Sequence, residues 1–268
     1  MSSPGINDIA PSLPHGYRLH HYAAVGSSND EAKALARGGA CDGTIVWADL
    51  QTAGRGRRGR LWASPPGNLY LSLVLRPEAP AAHIAQLGFV AALALVDALA
   101  GLAGPAQSAV QLRCKWPNDV LAHGRKLAGI LLEAETAGGE RVDFVLLGLG
   151  VNIATAPADA AYPATSLAAE GIAGIMPATL LAAFIDHFER WRQRWQSQGF
   201  APVRTAWLAL AANLGEPIEV RLEGKTLCGT FVDLDADGTL LLSAPAGIRR
   251  IAAGDIFPMR PASPYSVG

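Results

Sequence analysis

Seven consecutive residues, Gly54-Arg55-Gly56-Arg57-Arg58-Gly59-Arg60, bring four guanidinium groups and three glycines together. Guanidinium offers a planar fork of donors that matches carboxylate and phosphate oxygens. Glycine lets the backbone take positive φ and approach a ligand closely. The combination describes a mobile loop that can close over an anion with side chains and backbone N–H groups together. The plain alternative is a solvated turn, the common fate of an arginine-rich run. Against it stands the charge balance of the whole chain, 22 Lys+Arg against 23 Asp+Glu in 268 residues. A cationic cluster in a neutral sequence asks for a local reason.

Other chemistry-bearing groups fall at the ends of expected elements. Ser27-Ser28-Asn29 opens a helix. Gln51 precedes the Arg/Gly loop and Trp62 follows it. Lys115-Trp116-Pro117-Asn118-Asp119 ends a strand, with Lys126 one hairpin away. Gly148-x-Gly150-x-Asn152 closes a later strand. Each has an ordinary explanation: Ser28 a helix cap, Asp119 and Asn152 turn residues, Lys126 a solvated hairpin lysine, Trp62 and Trp116 packing. The joint inventory is more telling. His15, His20, His21, His83, His123 and His187 stand in no consistent relation to a nucleophile. No Gly-x4-Gly-Lys-Ser/Thr loop occurs, and no His/Cys metal spacing. What remains is cationic and hydrogen-bonding, with one acid. That set suits stabilising negative charge in a displacement at phosphorus, not covalent catalysis by the protein.

The elements that must position these groups follow from periodicity and turn signals. Tyr17–Val25 reads as a first strand. Ser28 with Glu31 reads as a capping box for a helix Asn29–Ala36, stopped at Gly38-Gly39. Thr44–Ala48 is a buried strand feeding the Arg/Gly loop. Asn68–Arg76 is a strand and Ala81–Leu102 a long Ala/Leu helix lying on the sheet. Val110–Trp116 is a strand. Val120–Ala122 and Leu127–Glu135 flank a hairpin turn at His123-Gly124-Arg125. Arg141–Ile153 is a strand and mostly apolar, so it belongs at the centre of a sheet. Ala154–Pro163 is a loop. A helix Ala178–Gln198 carries Leu181, Phe184, Ile185, Phe188, Trp191 and Trp195 at helical spacing, which reads as core. Another helix runs near Pro202–Ala212. Beyond Leu214, short strands Glu219–Leu222, Leu227–Asp233, Thr239–Ser243 and Gly247–Ile251 form a small β unit.

Composition sets outer bounds. Half of the residues are hydrophobic and 17% charged, enough to bury a core. Net charge of −1 and a pI near 6.6 argue against a dedicated nucleic-acid binder. Cys41, Cys114 and Cys228 are odd in number and widely spaced, which fits a reducing compartment. The N-terminus has no apolar signal region, and the apolar run Leu87–Ala103 is interrupted by Gly88, Asp97 and Gly101. A cytoplasmic protein without a membrane span is expected.

Three stretches together resemble biotin protein ligase: the loop Gly54–Arg60, the run Lys115–Asp119, and Gly124-Arg125-Lys126-Leu127-Ala128-Gly129-Ile130-Leu131-Leu132-Glu133. The order of Ser27-Ser28-Asn29, Gln51 and Gly148-x-Gly150-x-Asn152 is similar too, and the likeness runs from about Tyr17 to Arg260. The resemblance implies an α+β fold. A mixed β-sheet catalytic domain flanked by helices, of the class II synthetase-like or biotin–lipoyl ligase kind, would span 17–213. A small SH3-like C-terminal β-barrel would span 214–262, with tails at 1–16 and 263–268. It implies a two-step reaction: biotin and ATP give biotinyl-5′-AMP, and a lysine of a biotin carboxyl carrier domain then takes the biotin. Mg²⁺ would accompany the ATP, near Asp119, with no metal held by the protein alone.

The resemblance also implies roles. Lys126 and Arg57 would be catalytic. Biotin would contact Ser27, Ser28, Asn29, Gln51, Arg55, Gly56, Arg57, Lys126 and Gly129. ATP or the adenylate would contact Arg55, Arg57, Arg58, Trp62, Lys115, Asn118, Asp119, Lys126 and Asn152. Two departures stand out: Ser28 replaces the family's usual threonine, and Arg260 is a poorly spaced match for a basic residue near the nucleotide. The short N-terminal tail leaves no room for a winged helix-turn-helix, so DNA binding is not expected. The state is a monomer or a homodimer. The alternatives are a lipoate or octanoate ligase or transferase, a nucleic-acid module using Arg55–Arg60, and a biotin binder without catalysis.

Overall fold

The computed structural model describes residues 11–103, 110–136, 142–160 and 162–259. Strands β1 (Arg18–Tyr22), β2 (Thr44–Ala48), β3 (Leu69–Leu75), β4 (Leu112–Lys115), β5 (Asp119–Ala122), β6 (Arg125–Thr136) and β7 (Val142–Val151) form one seven-stranded sheet. Its order is β1-β2-β3-β7-β6-β5-β4, with β1 and β2 parallel and the other neighbours antiparallel. The strand expected from Arg141 is this β7, at the middle of the sheet; Arg141 itself lies outside the described residues.

Central position explains the apolar run of β7 from Phe144 to Val151, because helices cover both faces. Helix α1 (Ser28–Arg37) lies on one face, where Ala32 and Ala36 pack on Val46, Val74, Phe144 and Leu146. Helices α2 (Gln86–Ala103), α3 (Pro177–Gln198) and α4 (Ala201–Ala209) share the other core with Ile45, Leu73, Val145 and Leu147. Alternate residues of β7 thus enter different cores. Ala81–Ala103 is long and apolar enough to cross a membrane, but most of it is buried inside the protein. A helix apolar all round and covered by its own fold is a core helix.

Strands β8 (Pro217–Leu222), β9 (Lys225–Leu234), β10 (Leu240–Ala244), β11 (Gly247–Ile251) and β12 (Asp255–Pro258) make a second, antiparallel sheet ordered β11-β10-β9-β8-β12. Ile218, Val220, Phe231 and Leu240 join the same apolar core as α2 and α3. The indole of Trp116, 1% exposed, donates to Gly238 O at 3.1 Å and ties the two sheets together.

Three sequence expectations change. Ser27, not Ser28, is the N-cap, and no side-chain cap bond forms, so there is no capping box. The expected helix Ala81–Leu102 is a 3-10 turn, Ala81–His83, followed by α2. Strand β12 went unread, because four residues ending in proline carry little pattern.

Phe184 is wholly buried in the α3 core. Phe184→Ala is expected to cost about 3–5 kcal/mol, read as a lower denaturant midpoint with the slope unchanged. A midpoint at the parent's value would contradict the packing described.

Candidate active site

The cavity floor is cut into the face that α1 covers. Along β7 that face runs Phe144, Leu146, Gly148, Gly150. The first two carry side chains under the helix; the glycines leave a trough beyond it. A Cβ on Gly148 would stand 2.6 Å from Asn29 Oδ1, and one on Gly150 2.6 Å from the Trp62 ring. Gly129 of β6 pairs with Gly150, and a Cβ there would also meet Trp62, at 2.8 Å. The glycines therefore admit two side chains of the chain itself.

At one end of the trough the start of α1 is held by polar contacts. Ser28 N donates to Gln51 Oε1 at 2.8 Å, and Gln51 Nε2 donates to Ser64 Oγ at 2.9 Å. Ser72, fully buried in β3, donates to the Ser28 hydroxyl at 2.8 Å and also contacts Asn29 Oδ1. Asn29 Nδ2 donates to Glu133 at 2.7 Å. Ser28 is thus a buried network member, which its sequence neighbours did not indicate.

At the other end stands a charged row. Lys126 Nζ lies 2.7 Å from Asp119 Oδ1 and 5.2 Å from the Trp62 ring centre. Lys115 Nζ lies 3.7 Å from Asp119 Oδ2 and 4.3 Å above the Tyr162 ring. Burial pulls the Lys115 pKa down, opposed by the charge of Asp119. Asn152 is buried, and its Nδ2 donates to Thr165 O at 3.0 Å. Its Oδ1 and the Trp62 indole nitrogen are buried without a hydrogen-bond partner. Buried polar atoms are almost always paired, so both mark a place where a ligand group could complete the site.

The Arg/Gly loop is folded over this trough. Gly56 N donates to Arg60 O at 2.7 Å and Trp62 N to Gly54 O at 2.9 Å, with a tight turn whose Arg58 adopts φ 56°. Arg55 forms a fork with Asp30 at 2.5 and 2.6 Å; this hydrogen bonding holds Asp30 below its ordinary pKa. Arg57 Nη1 donates to Asn118 Oδ1 and Gly254 O, each at 3.2 Å. Burial lowers the Arg57 pKa, opposed by Asp255. Asp255 of β12 faces three of the four loop arginines, Arg57 at 3.7 Å, Arg58 at 3.6 Å, and Arg60 in direct contact. Burial works to raise its pKa, but the Arg60 hydrogen bond and the arginine charges outweigh this and leave it lowered.

The enclosed space is about 480 Å³, a size suited to one small-molecule complex. Every site residue expected from sequence lines it except Arg58, which turns towards Asp255 and is 41% exposed. Arg60, Asp255, Tyr162 and Phe257 line it and were not expected. The lining holds five cationic side chains against three carboxylates. Cys114 is buried with its thiol pushed up to about 12, so it is no nucleophile. Among the described residues, no group of three or more His, Cys, Asp or Glu could hold a metal ion. Arg260 lies outside the described residues.

An α+β domain with a cationic, half-apolar cavity at the junction with a small antiparallel sheet defines an anion-handling enzyme class. Residues 31–152 match the biotin/lipoate A/B protein ligase family, and residues 214–258 match the biotin protein ligase C-terminal domain. A biotin–[acetyl-CoA-carboxylase] ligase of Paracoccus denitrificans is 46% identical over 241 residues, 88% of this chain and 98% of that protein. The bifunctional ligase/repressor BirA of Bacillus subtilis is 36% identical over 248 residues, 90% of this chain and 74% of that one. The structure of Aquifex aeolicus biotin protein ligase in complex with biotin and ATP superposes with a TM-score of 0.75 at 27% identity, covering 91% and 99% of the two chains. This chain belongs to the biotin protein ligase family.

Because the folded pKa of Asp255 lies below the ordinary 3.8, its latch is complete above that value and is lost only as pH falls through the folded pKa. Amide exchange across Arg55–Leu61, corrected for intrinsic rates, is expected to keep its protection from pH 7 down to pH 5. Asp255→Asn is expected to accelerate that exchange at pH 7 while α2 stays protected. Unchanged loop protection in the variant would contradict the latch.

Proposed function

We propose that this chain joins biotin to ATP, releasing pyrophosphate, and then passes biotin from the adenylate to a lysine of a carrier domain. The observation that carries the reading is that Lys126 and Arg57 line one trough together with two sets of polar groups. On one side lie the Ser28, Asn29 and Gln51 groups beside the apolar floor; on the other lie Asn118, Asp119 and Asn152. Biotin's ureido ring would take the first end, with Ser27, Gly56 and Gly129 beside it, and the nucleotide the second, with Trp62, Lys115 and Tyr162. The reacting carboxylate and α-phosphate then meet under Lys126 and Arg57.

In the first step a carboxylate oxygen attacks the α-phosphorus and the bond to pyrophosphate breaks. Two anions repel, so fixed cations that gain most where charge concentrates lower the barrier. In the second step the lysine amine attacks the biotinyl carbonyl and the C–O bond to AMP breaks, with Lys126 placed to stabilise the departing phosphate. The latched loop shields the mixed anhydride from water. Magnesium would arrive with ATP, held chiefly by phosphate oxygens. Asp119 is occupied by two ammonium groups, which disfavours a cation bound there. The named relatives favour biotin over lipoate or octanoate as the acid. The partner is a biotin carboxyl carrier domain, met in the cytoplasm.

The reading is tested by ATP- and biotin-dependent labelling of a carrier domain; lipoate-dependent labelling without biotin labelling would overturn it. Lys126→Ala is expected to slow adenylation about 10²–10³-fold with the fold intact. Pyrophosphate release at the parental rate would remove Lys126 from its role. Arg57→Gly breaks the contacts to Asn118 and Gly254, and biotinyl-AMP is expected to leave this variant faster. Equal dissociation rates in a chase experiment would count against loop retention.

A further inference from the structure

Glu170 does not line the cavity, yet its side chain is only 3% exposed and both oxygens are engaged. Oε1 accepts from Thr165 Oγ1 at 2.6 Å and from Arg125 Nη2 at 2.8 Å; Oε2 meets His123 Nδ1 at 2.8 Å. The partners come from two stretches, the β5–β6 turn and the segment that follows Asn152. Backbone bonds join the same stretches: Lys126 N donates to Pro163 O at 2.7 Å, and Thr165 N donates to Lys126 O at 2.9 Å. Asn152 is held there too, through its side-chain bond to Thr165 O and through Leu167 N donating to Asn152 O at 3.0 Å. Burial works against the charged carboxylate, but hydrogen bonds from Thr165 and His123 and the charge of Arg125 outweigh it and hold it ionised.

We propose that Glu170 is a positioning residue for the nucleotide half of the site. Its carboxylate clamps the turn that carries Lys126 to the segment that carries Thr165, and so fixes Lys126, Asn152 and Tyr162 relative to one another. It acts through Arg125 and Thr165 and touches no reactant. The Ser28, Asn29 and Gln51 end is built from other elements, so the clamp governs the nucleotide half and leaves the seating of biotin's ring alone. A residue that merely stabilised the fold would affect both. The proposal rests on the functional reading above.

The test uses the full chain with Glu170→Gln, which keeps the shape and removes the charge, and Thr165→Val, which removes one contact. Pyrophosphate release is measured against ATP and against biotin, and amide exchange is followed at Lys126 and Thr165. In both variants kcat/KM for ATP is expected to fall, by about tenfold to a hundredfold in Glu170→Gln, with the KM for biotin within about twofold of the parent. The amides of Lys126 and Thr165 are expected to exchange faster, and those of α1 not. Unchanged ATP kinetics, or a KM for biotin that rises as far as the KM for ATP, would overturn the clamp, as would unchanged exchange at the two amides. A parent chain inactive with biotin and ATP would defeat the functional reading instead, and the exchange data would still judge the clamp.

Discussion

The site depends on holding positive charge in a place that water barely reaches. Lys115 and Asp119 are nearly buried and Lys126 is about three-quarters covered. Two ammonium groups so close would repel, and burial lowers the pKa of Lys115. Asp119 stands between them and makes both tolerable. The loop solves the same difficulty differently: Asp30 takes Arg55, and Asp255 takes Arg57, Arg58 and Arg60. The carboxylates hold the cations without cancelling them, since the lining stays cationic on balance. A pocket of that sign can receive two anions that would otherwise avoid each other.

Space follows from the same economy. Helix α1 covers the sheet as far as Leu146, and the next two residues on that face are glycines. Their missing side chains let Asn29 and Trp62 come down to the backbone and define the trough. Trp62 then offers its face to Lys126. The second sheet enters this arrangement through β12. Asp255 closes the loop and Phe257 meets Tyr162, with centroids 6.1 Å apart. The small sheet thereby completes the cavity as well as packing beside it.

Much of this was legible in the sequence, and the reasons are local. The strand Thr44–Ala48 has the same limits in sequence and structure, because an apolar run between turn signals has few other solutions. The aromatic stripe of α3 reads as core, and Phe184 and Phe188 are wholly buried. Arg57 stood out because arginines cluster there in a neutral chain, whereas Lys126 and Asp119 gained their roles from the resemblance to biotin protein ligase. What escaped notice acts over distance. Asp255 is 195 residues from its partner Arg60 and sits in a four-residue strand. Tyr162 and Glu170 lie in an irregular segment with no period to read. Arg58 misled because adjacent arginines look alike, while a left-handed turn sends its side chain away from the cavity.

The most direct measurement is a crystal structure with biotin and an ATP analogue that cannot be cleaved. A carboxylate oxygen of biotin and an α-phosphate oxygen are expected within about 3 Å of Lys126 Nζ, with Arg57 closing over them. Ligands bound with those two groups apart, or with Lys126 still facing only Asp119, would contradict the account.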